Sequence, residues 1–217
     1  MNSISYVLFD LDGTLTDPGL GITNSVMHAL RRFGVEPPER EKLYPFIGPP
    51  LLWSFHQFYG FDEQQCADAV RYYREYFADR GIFENTLYPA IPQALRRLQA
   101  AGLRLAVATS KPEDFAKRII THFGLEPYFE LVVGSLMDEK RTAKAEVIAL
   151  VLEKLGAQPG QCVMVGDREY DVLGAKQNGM ACIGVLYGYG SRAELEAAGA
   201  DQIAATPEDI PPLILGR

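Results

Sequence analysis

Two aspartates close the apolar run in SYVLFDLDGTLTD (residues 5–17): Asp10 directly after Phe9, and Asp12 two residues on. Side chains at i and i+2 of an extended chain point to one side, so the two carboxylates converge. A polar strand end with an Asx-type turn explains one aspartate well and two converging ones badly. Thr109 and Ser110 follow the apolar run LRLAVA, Lys144 opens a helical stretch, and Asp167 and Asp171 stand in VGDREYD. Carboxylates supply hard oxygen ligands for Mg2+, nucleophiles that need no base, and proton donors or acceptors. Hydroxyls, backbone N–H groups and an ammonium hold an anionic group against them. Asp171 lies one helical turn beyond Asp167 and shares its face, which suits an outer contact to a metal through water.

The elements that must position these residues are legible as alternation. Tyr6 to Phe9 is a short, continuously apolar run, the pattern of a strand covered on both faces of a parallel sheet. Further strands are expected at 103–109, 131–134, 162–167, 181–186 and 200–204, with helices around 91–101, 113–122, 144–155, 171–178 and 192–198. Glycines 102, 124, 156 and 179 fall at helix C-caps, Ser191 with Glu194 reads as a capping box, and Thr206-Pro207 as a cap with proline at the first helical position. The fold class is therefore α/β, a doubly wound parallel sheet. Asp10, Asp12, Thr109 and Asp167 then fall at C-terminal strand ends, where such sheets keep their ligand crevice.

Residues 18–85 break this rhythm. Helical pattern covers 20–33, 50–59 and 63–79 without a convincing strand, and more than half of the chain's aromatic side chains lie between Tyr44 and Tyr88. The expected organisation is a core of 1–17 and 86–217 with an inserted all-helical domain of 18–85. Asp17 belongs to the connection or caps the first inserted helix.

The composition limits the partners. With 217 residues and a net charge of −7, the chain is suited neither to a nucleic-acid polymer nor to an anionic membrane surface. The three cysteines form no CxxC pair, which fits reduced buried thiols in a cytoplasmic protein. No run is long enough to span a bilayer, and the N-terminus lacks a signal-peptide pattern. His28, His56 and His122 have no Ser or Cys partner in a triad pattern and read as packing or surface residues.

FDLDGT and VGDREYD, with Thr109 and Lys144 between them, resemble the haloacid dehalogenase superfamily, in particular its phosphatases with a helical cap after the first strand. IGPPL (47–51) and YGYGSRAEL (187–195) are similar to the phosphoglycolate phosphatase and nucleotidase branch. The resemblance implies a Rossmann-like core and a small phosphomonoester as substrate. It makes Asp10 the nucleophile and Asp12 the acid and base, and it places Mg2+ on Asp10, Asp167 and the backbone carbonyl of Asp12. Thr109, Ser110 and Lys144 then hold the phosphoryl group. Lys144 departs from the commoner pattern in which the lysine precedes a proline, so Lys140 and Arg141 remain alternatives for its role.

Rival readings weigh less. A receiver-like phospho-acceptor needs neither the insertion nor an acid at position 12. A dehalogenase needs no acid for a halide, and a phosphonate hydrolase of this family wants a cap lysine, for which only Lys42 is present. A sugar-phosphate mutase uses the same aspartates. Among substrates, the aromatic insertion favours nucleoside 5′-monophosphates through stacking at rings such as Trp53, with phosphoglycolate as the alternative.

Overall fold

Tyr6–Phe9 forms β1, and its residues pair in parallel register with two later segments: Tyr6 with Arg104 on one side and with Cys162 on the other. That makes the first strand central, which is why it is apolar throughout. The computed structural model describes residues 4–138 and 141–216. It divides into two compact units, Met1–Thr16 with Leu87–Arg217, and Asp17–Thr86.

In the first unit the expected α/β alternation is present. After β1 the chain leaves through β2 (Thr16–Asp17), runs through α1 (Gly19–Arg32), α2 (Leu51–Tyr59) and α3 (Glu63–Tyr76), and returns through β3 (Thr86–Leu87). Then follow α4 (Ile91–Ala100), β4 (Arg104–Pro112), α5 (Glu113–His122), β5 (Leu131–Ser135), α6 (Lys144–Leu155) and β6 (Cys162–Gly166). The chain ends with α7 (Glu169–Gln177), β7 (Ala181–Val185), α8 (Arg192–Ala198), β8 (Gln202–Ala204) and α9 (Ile210–Leu215). The six-stranded sheet has the order β5-β4-β1-β6-β7-β8, all parallel. Leu8, Ala106 and Met164 face a buried core with Val147, Ile148 and Val151 of α6, Val172 of α7 and Leu195 of α8. Helix α4 packs on β4 and α9, and α5 on β4 and β5. Gly102, Gly124, Gly156 and Gly179 all take the positive φ expected after helices. Cys66, Cys162 and Cys182 are buried and unbridged.

One cap departs from its sequence pattern. Ser191 Oγ accepts from the Glu194 N–H at 3.1 Å, but the Glu194 carboxylate does not return to Ser191. It accepts instead from Arg168 Nε (2.8 Å) and the Glu169 N–H (2.9 Å), because it fills the orphan donor position at the start of α7. The capping box is thus half formed, and its glutamate joins α8 to α7.

The second unit holds the three expected helices. Asp17 Oδ1 accepts from the N–H of Gly19, the first residue of α1, at 3.0 Å, while the N-cap position itself is Pro18. Helix α3 stops at Tyr76, and Phe77–Gly81 continues as a π-turn closed by the Ile82 N–H on the Phe77 carbonyl at 2.8 Å. The wider turn seats Gly81 against Gly21 of α1, where a Cβ on Gly21 would overlap the Gly81 carbonyl. Phe46, Phe55, Phe61, Tyr73 and Phe77 are buried and belong to this unit's own core, while Tyr44, Trp53, Phe58 and Phe83 are exposed. Among the described residues no helix is long and apolar enough to cross a membrane.

Candidate active site

Asp10 continues β1 by one residue, its N–H donating to the Val165 carbonyl of β6 at 2.9 Å. This backbone bond fixes its carboxylate at the end of the sheet, where it is buried. Asp167 follows β6 directly, and Asp171 comes from the first turn of α7. One carboxylate oxygen from each of Asp10, Asp167 and Asp171 lies within 4.8 Å of the others.

A single ammonium ties this group together. Lys144 Nζ stands 2.8 Å from Asp10 Oδ1 and 2.8 Å from Asp171 Oδ1, and donates to the Ala108 carbonyl at 3.1 Å. Burial works against its charge, but the Asp10 and Asp171 carboxylates outweigh that and hold it above the ordinary lysine value. The two alternatives to Lys144 stand differently. Arg141 donates to the Gly134 carbonyl through Nη2 (2.7 Å) and pairs with Glu113 (3.5 Å), away from the carboxylate cluster. Lys140 lies outside the described residues.

Asp12 pairs with a second ammonium. Its Oδ2 meets Lys111 Nζ at 2.6 Å, the Lys111 side chain being buried and that of Asp12 nearly so. Lys111 is the residue that sequence reasoning missed. Its signal was present: in Thr109-Ser110-Lys111 it stands two residues after Thr109, hence on the same side of an extended chain. The β4–β5 register is irregular between Ala108 and Pro112, so these residues leave the ladder where they reach the site. The Lys111 N–H donates to Thr109 Oγ1 at 3.3 Å, which leaves the Thr109 hydroxyl proton for another acceptor. Thr109 is buried and Ser110 half-buried beside it. Asp10, Asp167, Asp171 and Lys144 are thus brought together, Asp12 pairs with Lys111, and Thr109 and Ser110 stand beside Lys111 at the end of β4.

The charge balance of this pocket tests whether a metal fits. Four buried or nearly buried carboxylates, Asp10, Asp12, Asp167 and Asp171, face the two ammoniums of Lys111 and Lys144. Burial first, then the Asp171 and Asp10 carboxylates, push Asp167 well above the usual carboxylate range. Burial pushes Asp171 up to about 6 against the pull of Lys144. Asp167 Oδ2 accepts from the Tyr189 N–H at 2.8 Å, while its Oδ1 is buried with no hydrogen-bond partner among the described residues. An excess of two negative charges, hard oxygens and a bare buried carboxylate oxygen fit a divalent cation. Both oxygens of Asp171 are already engaged, Oδ1 by Lys144 and Oδ2 by the Arg168 N–H at 3.1 Å.

The three histidines stand outside this arrangement. His28 approaches Glu75 at 3.6 Å, His56 Nδ1 meets the Phe61 carbonyl at 2.9 Å, and His122 packs on Phe123.

Residues 7–185 match the family model of haloacid dehalogenase-like hydrolases. The chain belongs to this family. It is an enzyme, a phosphatase of the haloacid dehalogenase type. It is 50% identical over 191 residues to a 5′-nucleotidase of Pseudomonas aeruginosa, covering 88% of this chain and 86% of that protein. It is 42% identical over 188 residues to tyrosine-protein kinase PtkA of Mycobacterium tuberculosis, where the match spans 87% of this chain but only 64% of the relative. A crystal structure from Clostridium acetobutylicum, described as a predicted phosphatase, superposes with a TM-score of 0.96 at 45% identity over the whole of both chains.

Proposed function

We propose that this phosphatase hydrolyses nucleoside 5′-monophosphates in a Mg2+-dependent reaction that passes through an aspartyl-phosphate on Asp10. The observation that carries the chemistry is the pairing of each key carboxylate with a buried ammonium: Asp10 with Lys144, and Asp12 with Lys111. A phosphomonoester dianion repels a carboxylate nucleophile, so positioning and charge neutralisation must do most of the work.

Lys144 holds Asp10 through Oδ1, leaving the other oxygen to attack phosphorus. As the Asp10 O–P bond forms, the bond to the leaving oxygen breaks, and Asp12 gives that oxygen a proton. Water then attacks the phosphorus of phospho-Asp10, Asp12 takes its proton, and the Asp10 O–P bond breaks to release phosphate. The Thr109 hydroxyl, with Ser110 beside it, donates to phosphoryl oxygens. Asp10, Asp167 and the Asp12 carbonyl would hold Mg2+, whose contribution is to neutralise phosphoryl charge, with Asp171 acting from outside through Lys144. The unit of residues 18–85 serves as a cap that selects the leaving group.

The substrate class is supported by the 5′-nucleotidase relative and by the exposed rings Trp53 and Phe58, whose centroids are 5.8 Å apart at 80°. The lack of a membrane-crossing helix among the described residues suits a cytoplasmic enzyme acting on a soluble metabolite. The test is a phosphate-release screen with Mg2+ over nucleotides, phosphoglycolate and sugar phosphates. Nucleoside 5′-monophosphates are expected to lead. Phosphoglycolate ahead of every nucleotide would overturn the substrate assignment.

A further inference from the structure

The loop after β7, Tyr187-Gly188-Tyr189-Gly190, packs closely against Asp167. The Tyr189 N–H donates to Asp167 Oδ2 at 2.8 Å. A Cβ on Gly188 would fall 2.6 Å from that same oxygen and would overlap the Gly13 carbonyl and the Asp167 Cβ, and a Cβ on Gly190 would overlap the Asp167 carbonyl. Gly13, with φ +82°, also closes on the carboxylate, where a Cβ would stand 2.6 Å from the carboxyl carbon. Real Cβ contacts essentially never fall under 3.0 Å, so no side chain can be accommodated at these positions without moving Asp167.

The loop is itself anchored. The Tyr187 hydroxyl donates to the Thr14 carbonyl at 3.0 Å, in the same turn as Gly13, and its ring meets Tyr88 edge to face at 4.8 Å. One oxygen of Asp167 thus accepts from the loop, and the other has no hydrogen-bond partner among the described residues.

We propose that residues 187–190 form a positioning collar for the metal site, fixing Asp167 so that Oδ1 alone is presented to a divalent cation. This rests on the reading of Asp10 and Asp167 as metal ligands. Groups that orient a metal-binding carboxylate without touching the metal are worth about 10- to 100-fold in metal affinity. The glycines act by absence of bulk, Tyr189 by its backbone donor, and Tyr187 by tying the collar to the turn that carries Gly13.

The test is calorimetric titration of Mg2+ and Mn2+ into metal-stripped protein, with no substrate present. Gly188→Ala is expected to weaken binding by about 10- to 100-fold, and Tyr187→Phe, which removes only the tie to Thr14, by several-fold. Val147→Ala in the core of the same unit should lower thermal stability without changing metal affinity, which separates positioning from general loosening. Should Gly188→Ala fail to fold, Tyr187→Phe decides. Asp167→Asn guards the premise: if it binds metal as tightly as the wild type, the metal assignment itself is wrong. If Asp167→Asn loses metal while the folded collar variants bind within about twofold of wild type, the collar inference alone falls.

Discussion

Lys111 Nζ lies 2.6 Å from Asp12 Oδ2, and Asp12 Oδ1 is left buried with no hydrogen-bond partner among the described residues. Burial pushes the Asp12 carboxyl up while Lys111 pulls it back, so the acid is held by one oxygen and available through the other. In Lys111→Met that hold is gone. General acid catalysis contributes about 10²–10⁴-fold, and it matters most where the leaving oxygen is a poor leaving group. Single-turnover phosphorylation should therefore slow by about 100-fold with an alkyl phosphate such as a nucleotide. With dinitrophenyl phosphate, whose leaving group needs no proton, it should slow far less, and Lys111→Arg should recover part of the loss. Equal losses on both substrates would remove Lys111 from the acid's support.

Asp10→Asn should abolish turnover and trapping of phosphoenzyme together. Asp12→Asn should still be phosphorylated by dinitrophenyl phosphate but should accumulate the phosphoenzyme, because water then lacks its base. Acid quench on the millisecond scale reads both. Turnover surviving in Asp10→Asn would refute the covalent route.

Much of this site was legible because strand ends are legible. Asp10, Thr109 and Asp167 each follow a short apolar run, and parallel topology alone brings such ends together. What stayed hidden depended on distances that no periodicity records. Lys111 follows Thr-Ser in a segment that reads as ordinary strand end, and only the irregular register after Ala108 brings its ammonium to Asp12. Glu194 matched a capping box, yet a donor from another helix claimed its carboxylate. The approach of Gly13 and Gly188 to Asp167 joins residues far apart in sequence. Nothing in the sequence distinguishes Lys144 from Lys140 and Arg141, whereas in the fold Lys144 stands between Asp10 and Asp171.

That placement has a measurable consequence. Removing one partner of a buried ion pair costs about 3–5 kcal/mol, since the other charge stays buried. Lys144→Met should lose activity and melt roughly 10 °C lower, at about 2–4 °C per kcal/mol for a chain of this size. Arg141→Ala, which among the described residues releases Gly134 and Glu113, should keep its turnover. Differential scanning calorimetry beside a phosphate-release assay checks the pair, and the reverse ranking would put Arg141 at the phosphoryl group.

Metal-free protein should become less stable as pH rises. Asp167 and Asp171 both have folded values raised above the ordinary carboxylate, Asp171 to about 6. A folded state that binds more protons than the unfolded one is favoured at low pH, and that advantage is lost as pH climbs through the raised values. In EDTA the melting temperature should therefore fall as pH climbs from the ordinary carboxylate range, about 4, through about 6. Mg2+ displaces those protons, so its stabilising effect should widen over the same range. Asp167→Asn should flatten the slope in EDTA. A melting temperature that rises with pH in chelator would contradict the charge excess at the cluster.

The substrate prediction turns on which rings of the helical unit remain free to stack. Phe55 and Phe61 stack within the core at 6.1 Å and 7°, and Phe46 packs edge-on against Phe55, so these rings are spoken for by packing. Trp53 is 47% exposed and Phe58 42%, and α2 presents them together. Stacking on a base is worth about 1–3 kcal/mol, or roughly 5- to 150-fold in an equilibrium constant. Every base offers a π-face, so the enzyme should tolerate several bases rather than select one. Trp53→Ala should lower kcat/KM for nucleoside 5′-monophosphates by at least about fivefold through KM, and leave a small aryl phosphate within about twofold. Phe55→Ala, by contrast, should destabilise the helical unit and depress both substrates alike. A Trp53→Ala enzyme that treats nucleotides as the wild type does would leave the aromatic surface of α2 without a part in substrate choice.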